Sequence, residues 1–257
     1  MEKIKFNNIS LLVQGQIFDK SKLSFIDYIE YYKSIFSEII LSTYTEEIDD
    51  SIKNFCKEHD IILVHQSKNT GNIENRYNIA YQTMSTLLGL KHCTKPFTIK
   101  HRTDEKYSNL EALIEVFFQD TEKWVSGGTF FGAKSYYLYH AADHLFIGKT
   151  NKLLETFSLT MSELIKNIFV RNNIGEPAAE ITFTKNFIRI NNENPVENNH
   201  DILMKKYFNF VSDKHFEPFL IRFNSANKVY NKFSDFHPCF EQFQNIDDIL
   251  TKQGMVI

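Results

Sequence analysis

Six consecutive residues, Lys100-His101-Arg102-Thr103-Asp104-Glu105, gather charge at the end of an apolar run. On a strand, alternate residues share a face, so Lys100, Arg102 and Asp104 would lie on one side and His101, Thr103 and Glu105 on the other. A carboxylate beside cations suits Mg²⁺ or Mn²⁺ held against a nucleotide diphosphate. Hard divalent ions need oxygen ligands and leave positions for phosphate and water. Arg102 matches a phosphate directly. The same cluster would also serve as a solvated turn held by surface ion pairs. Glu176 and Glu180 stand around an expected helix start, where the helix dipole favours carboxylates. There Glu180 is a candidate general base for a sugar hydroxyl. His140 and His144 (HAADH) would share one face of a helix, as zinc sites use. Their flanks, YYLY and LFIG, favour extended chain, where residues four apart lie about 13 Å apart. Asp143 and His144 are therefore expected at the rim of a cleft rather than on zinc. In Gln14-Gly15-Gln16 the glycine admits close backbone approach and the amides donate to a base or ribose, although a plain turn uses the same residues. The sequence has no G-x-G-x-x-G, Walker A, G-x-S-x-G or H-E-x-x-H pattern, which removes most support for dehydrogenase, P-loop, serine hydrolase and zincin chemistry.

These residues need elements to position them. Ile9–Ile17 (ISLLVQGQI) reads as a buried strand broken at Gly15, Glu38–Thr43 as a second, Ile61–His65 as a third and Phe97–Thr103 as a fourth. Helical spacing is expected over 24–40, 46–59, 75–92 and 110–118. Trp124–Phe131 and Leu145–Ile147 are further strand candidates. Such alternation predicts an α/β fold whose mostly parallel sheet is covered on both faces. Ligands then bind beyond the carboxyl ends of the strands. The loops at Gln14-Gly15-Gln16, Ser42-Thr43-Tyr44, His65-Gln66-Ser67 and Arg102-Thr103-Asp104-Glu105 are expected to converge there. After Thr150, helices are expected over 152–157, 160–170 (with a Thr160/Glu163 capping box) and 178–187, with Pro177 in the first turn of the last. Short apolar runs, FNFV and FLIRF, follow. Residues 150–257 are expected to form a C-terminal lobe built onto the sheet of residues 1–149 rather than a free domain.

Composition limits the function classes. The 257 residues are 42% hydrophobic, 24% charged and carry a net charge of −3, which suits a globular protein and supplies no global basic field for nucleic acid. The 24 Phe and 12 Tyr fit a Phe-rich core or stacking surfaces for a base or sugar. Cys56, Cys93 and Cys239 are too few and too scattered for a disulfide framework, and a reducing cytoplasm is expected. No apolar leader follows Met1–Asn8 and no spanning run occurs, so a membrane-bound substrate would be met from the side.

Collectively, ISLLVQGQI, EIILST, NIAYQTMSTLLGLKHCTKPFTIKHRTDE and DHLFIGKTNKLLETF resemble the WavE lipopolysaccharide-synthesis family over roughly residues 9–160. The matching positions are Val13-Gln14-Gly15, Leu41-Ser42-Thr43, Asn78-Ile79 with Gln82, Ser85-Thr86 and Gly89-Leu90, then Lys100 and Arg102-Thr103-Asp104-Glu105, and Phe146-Ile147-Gly148. Tyr81 stands where the family usually has Arg; either Arg76, about one turn upstream, substitutes, or a phosphate contact is missing. The resemblance implies a GT-A-like fold and a glycosyltransferase of surface-polysaccharide or lipopolysaccharide assembly. Its substrates would be a nucleotide-sugar donor and a glycan or lipid-linked glycan acceptor. It would work in the cytoplasm, with peripheral contact at the inner face of the membrane. Asp104 then takes the place of the metal-binding D-x-D element, although T-D-E is not a full D-x-D. A one-carboxylate Mn²⁺ or Mg²⁺ site and a metal-independent site using Arg102 and Arg76 both follow from that. Gln14, Gly15, Ser42, Thr43, Arg76, Gln82 and Arg102 would line the donor, with Glu180 as base. Two other readings are a nucleotidyltransferase and a non-catalytic carbohydrate- or partner-binding module.

Overall fold

β1 (Phe6–Gln14) explains the plan of the molecule. Its apolar run is buried on both faces: Ile9, Leu11 and Val13 enter one core and Leu12 the other. Alternation on a strand forces that division. β2 (Phe36–Tyr44) divides likewise, with Ile39 and Leu41 on the first side and Ile40 on the second. The computed structural model describes residues 6–17, 29–68, 78–127, 138–166, 179–211, 216, 220–223 and 228–230.

The main sheet has seven strands in the order β3-β2-β1-β4-β7-β6-β8. β3 (Ile62–Gln66), β2, β1 and β4 (Phe97–Arg102) run parallel. β7 (Leu145–Lys149) is antiparallel to both β4 and β6 (Trp124–Gly127). β8 (Phe208–Val211) closes the edge parallel to β6. A second sheet joins β5 (Glu105–Lys106), β9 (Leu220–Phe223) and β10 (Lys228–Tyr230). Over the first face lie α1 (Ile29–Ile35), α2 (Asp50–Glu58) and α4 (Leu110–Gln119). Over the second lie α3 (Ile79–Leu90), α5 (Thr150–Ile165), α6 (Ala179–Arg189) and α7 (His200–Tyr207). This is the mostly parallel, Rossmann-like α/β sheet flanked by helices that the strand–helix alternation predicts.

Several boundaries differ from expectation. The helix expected over 24–40 is described only over Ile29–Ile35, and β2 takes over at Phe36, because the apolar residues from Phe36 onward are buried in the sheet. A 3₁₀ turn at Thr45–Glu47 precedes α2, whose start is set by the Asp49 carboxylate accepting from the Ile52 amide. The helices expected over 152–157 and 160–170 are one continuous α5 as far as Ile165. Thr160 is no cap; its hydroxyl donates to the Thr156 carbonyl inside that helix at 2.9 Å. Residues 128–137 and 167–178, with Glu176 and Pro177, lie outside the described residues, as does Arg76. The FNFV run is not a separate lobe element but β8 of the main sheet, and FLIRF supplies β9 beside β5.

α3 is held against the sheet by Gly89. A Cβ there would stand 2.3 Å from a Leu12 methyl and 3.0 Å from the Ser42 Cβ. The absence of that atom lets α3 descend onto β1 and β2 and brings its first turn to the carboxyl edge.

Candidate functional site

The carboxyl ends of the four parallel strands meet as expected. Gln14 pairs in register with Ser42 of β2 and Arg102 of β4, and Tyr44 pairs with Gln66 of β3. Gly15, at φ +129°, turns the chain out of β1 and donates its amide to the Ser42 carbonyl. That backbone region strongly favours glycine. Thr103 locks the neighbouring loop: its amide donates to the Gln14 carbonyl at 3.0 Å and its hydroxyl to the Gln16 carbonyl at 2.7 Å.

The side chains at this edge have distinct duties. Gln14 Oε1 accepts from Ser85 Oγ at 2.6 Å, and Ser42 Oγ donates to the Ser85 carbonyl at 2.6 Å. Both residues thus brace α3. Thr43 is fully buried, and among the described residues its hydroxyl has no hydrogen-bond partner. Tyr81, where an arginine would fit the resemblance, packs its ring against Tyr44, whose hydroxyl donates to the Tyr81 carbonyl at 2.8 Å.

Asp104 lies in the turn after β4, and its two oxygens accept from Arg102 Nε at 2.8 Å and Nη2 at 2.7 Å. This bidentate pair fixes the guanidinium plane. Lys100 and Arg102 do share a face, as the alternation requires. On the opposite face, His101 is buried against Tyr32 and Tyr107, with ring centroids 5.3 and 6.0 Å away. Burial pushes the His101 imidazole down to about 4.

The antiparallel return of β7 brings a second group to the same edge. Phe146 pairs with Lys100, so Asp143 and His144, just before β7, stand beside the end of β4. Gln82, in the first turn of α3, donates to Asp143 Oδ2, and the buried Lys100 ammonium donates to the Asp143 carbonyl. Lys100 Nζ also lies 5.4 Å from the Phe146 ring centroid. Burial lowers the Lys100 pKa, against the opposing pull of Asp143. His144 Nε2 lies 3.9 Å from Asp143 Oδ1. Glu180, in the first turn of α6, completes the group. One ligand atom from each of Asp143, His144 and Glu180 lies within 4.8 Å of the others.

Glu105 supports this group from below. It is fully buried; Oε1 accepts from His144 Nδ1 and lies 3.5 Å from Arg102 Nε, while Oε2 accepts from the Tyr107 hydroxyl at 2.7 Å. Burial by itself would raise the Glu105 pKa, but His144, Arg102 and Tyr107 outweigh it and hold the carboxyl well below the usual range. Burial would likewise lower the His144 pKa, and Glu105 reverses the direction. Asp104–Arg102–Glu105–His144–Asp143 is thus a continuous charged chain along the sheet edge.

Of the residues singled out in the sequence, Gln14, Gly15, Ser42, Thr43, Gln82, Arg102 and Asp104 all lie at this edge, and Glu180 joins it from α6. Asp143 and His144, expected at a cleft rim, are instead at the centre of the donor cluster. His140 is adjacent, its Nε2 4.0 Å from Glu180 Oε2, but stands outside the trio. The available signal was the position of Asp143-His144 immediately before a strand candidate: an antiparallel return delivers such residues to the carboxyl edge. Two carboxylates and one imidazole are a donor set that Mn²⁺ accepts, whereas an all-oxygen set suits Mg²⁺ better.

No family model and no curated protein matches this chain. Solved structures with similarity include a mannosyltransferase from Pyrobaculum calidifontis in complex with GDP-Man and Mn²⁺, at 12% identity and TM-score 0.41, covering 57% of this chain and 45% of that one. This chain thus spans less than half of the mannosyltransferase. Glucosyl-3-phosphoglycerate synthase from Mycobacterium tuberculosis, in complex with Mn²⁺, UDP and glucosyl-3-phosphoglycerate, is 11% identical with TM-score 0.48, covering 98% of this chain and 82% of that one. A cytidylyltransferase from Leptospira borgpetersenii is 11% identical with TM-score 0.40, covering 98% and 99%. The strand order and register define the fold independently of these likenesses. Among the described residues no helix is long and apolar enough to cross a membrane.

Proposed function

We propose that this chain is a glycosyltransferase. It moves a sugar from a nucleotide-sugar donor to a glycan or lipid-linked glycan of surface polysaccharide or lipopolysaccharide, with Mn²⁺ or Mg²⁺ at its site. The observation that carries this reading is the donor set of Asp143, His144 and Glu180, gathered where open α/β sheets take their ligands. The motif resemblance to the WavE family supports the same activity. A divalent cation held there supplies charge stabilisation for the departing nucleotide phosphate.

The remaining work belongs to the chain's own side chains. Gln82 occupies one Asp143 oxygen and Lys100 fixes the Asp143 backbone. Arg102, clamped by Asp104, carries positive charge to the same edge for a phosphate. Gly15 and Thr43 are assigned to the base and ribose side in this reading, and Gln14 and Ser42 brace α3 at the same edge. Glu180 has two candidate duties, as a ligand or as the base that takes the acceptor hydroxyl proton in an inverting reaction. A cation lowers the basicity of a carboxylate it binds, so the two duties compete. In this reading residues 1–149 receive the donor and 150–257 present the acceptor side.

The test is product analysis with a panel of nucleotide sugars, with and without Mn²⁺. Metal-dependent release of a nucleoside mono- or diphosphate is the expected result. Pyrophosphate released from a nucleoside triphosphate would identify a nucleotidyltransferase instead. No thermal shift with any donor, with or without Mn²⁺, would leave a binding module.

A further inference from the structure

We propose that Glu105 is a positioning residue that sets the cation affinity of the cluster by fixing which nitrogen His144 presents to Asp143 and Glu180. The proposal rests on the reading that a divalent cation binds these three residues. Glu105 is fully buried on the two-residue strand β5. Burying a carboxylate costs several kcal/mol unless it is well paired. Glu105 is paired on both oxygens, and one partner is His144 Nδ1. A carboxylate only accepts, so this contact requires the proton on Nδ1. The lone pair of the neutral ring is then on Nε2, the atom 3.9 Å from Asp143 Oδ1.

A histidine whose far nitrogen is anchored by a carboxylate is a more basic, better oriented ligand. The Tyr107 hydroxyl, 2.7 Å from the other Glu105 oxygen, prevents the carboxylate from turning away. Glu105 therefore acts through His144 and touches no substrate. Its position also gives the turn after β4 a purpose. The turn at Thr103-Asp104 leads from β4 into β5 and brings Glu105 to His144, 39 residues away in sequence.

The experiment measures Mn²⁺ alone, titrated into the full chain and followed by electron paramagnetic resonance. Glu105→Gln keeps the volume but loses the charge and can present its amide NH₂ to the ring. The expected result is Mn²⁺ affinity weaker by about 10- to 100-fold, with circular dichroism of a retained fold and a lowered metal-free melting temperature, because the charge that pairs with His144 and Arg102 is lost. Pulsed measurements on the Mn²⁺-loaded parent should detect one directly bound imidazole nitrogen, absent in His144→Gln. Parent-like affinity in Glu105→Gln, while Asp143→Ala has lost binding, would overturn the positioning role and leave the metal reading standing. Failure of the parent itself to bind Mn²⁺ would overturn both. If Glu105→Gln does not fold, Tyr107→Phe decides: a several-fold loss of affinity supports the proposal, and unchanged affinity overturns it.

Discussion

Asp104 and Asp143 are both largely buried aspartates at one sheet edge, yet they keep opposite company. Asp104 gives both oxygens to the guanidinium of Arg102, two residues earlier on the chain. Asp143 receives an amide from Gln82, and its other oxygen lies toward His144. The first arrangement is local, a pair between residues two apart whose guanidinium also reaches Glu105. The second is assembled from α3, the segment before β7 and α6, and gathers negative charge with an imidazole. In the proposed reading the cation goes to Asp143 rather than Asp104, because Arg102 already occupies both Asp104 oxygens. What distinguishes the two positions is whether a nearby arginine reaches the carboxylate first.

The sharpest way to break this contrast is Asp143→Ala. Mn²⁺ binding should disappear and transfer should fall by about 10³-fold, on the order of 4 kcal/mol of lost charge stabilisation. Wild-type Mn²⁺ titration in this variant would remove Asp143 from the site. Glu180→Gln comes next, with an expected loss in transfer of about 10²-fold. Its value is in separating the two duties of Glu180. Lost Mn²⁺ affinity identifies a ligand, whereas retained affinity with lost transfer identifies a base.

The unequal legibility of the two clusters has a physical origin. Asp104 was visible because strand alternation and a charged turn are local properties. So were the loops at Gly15, Ser42-Thr43 and Gln66, since parallel strands deliver their carboxyl ends to one edge. Asp143, His144 and Glu180 meet only through the antiparallel return of β7 and the placement of α6, which are tertiary facts. The HAADH segment is singled out for Asp143 and His144 at a cleft, and the fold brings these two together with Glu180, with His140 beside them. The division of α5 into two helices failed for a related reason. Thr160 resembles a cap in sequence, but its hydroxyl is satisfied by the Thr156 carbonyl within a continuous helix. Likewise β8 joins the sheet through pairing with β6, which no local pattern records.

The two faces of β4 sharpen the contrast through acid stability. Lys100 and Arg102 face the charged edge, while His101 faces an aromatic wall. The unfolded histidine protonates near 6.5, and the folded one only near 4 because burial disfavours the cation. In that window the unfolded chain binds more protons, so stability is complete above about 6.5 and declines as pH falls toward 4. The full effect is on the order of 3 kcal/mol. Denaturant melts of wild type and His101→Phe between pH 7 and 4 measure it, and the variant should show a shallower decline. Equal slopes would mean that the acid sensitivity arises elsewhere.

The smallest expected effect gives the most direct comparison. In Asp104→Asn the side chain keeps its size but loses its charge, so the bidentate pairing with Arg102 is weakened rather than emptied. Arg102 would still have Glu105 within 3.5 Å, which limits its reorientation. Mn²⁺ affinity should therefore stay within about twofold of the parent, and transfer should fall by less than about tenfold, near 1 kcal/mol. If Arg102 binds the donor phosphates as proposed, the KM for donor should rise more than kcat falls, because that contact is made before and during the reaction alike. A variant that loses Mn²⁺ altogether would reverse the assignment. Asp104 would then be the ligand, Arg102 its displaceable partner, and Asp143 the residue with a structural duty.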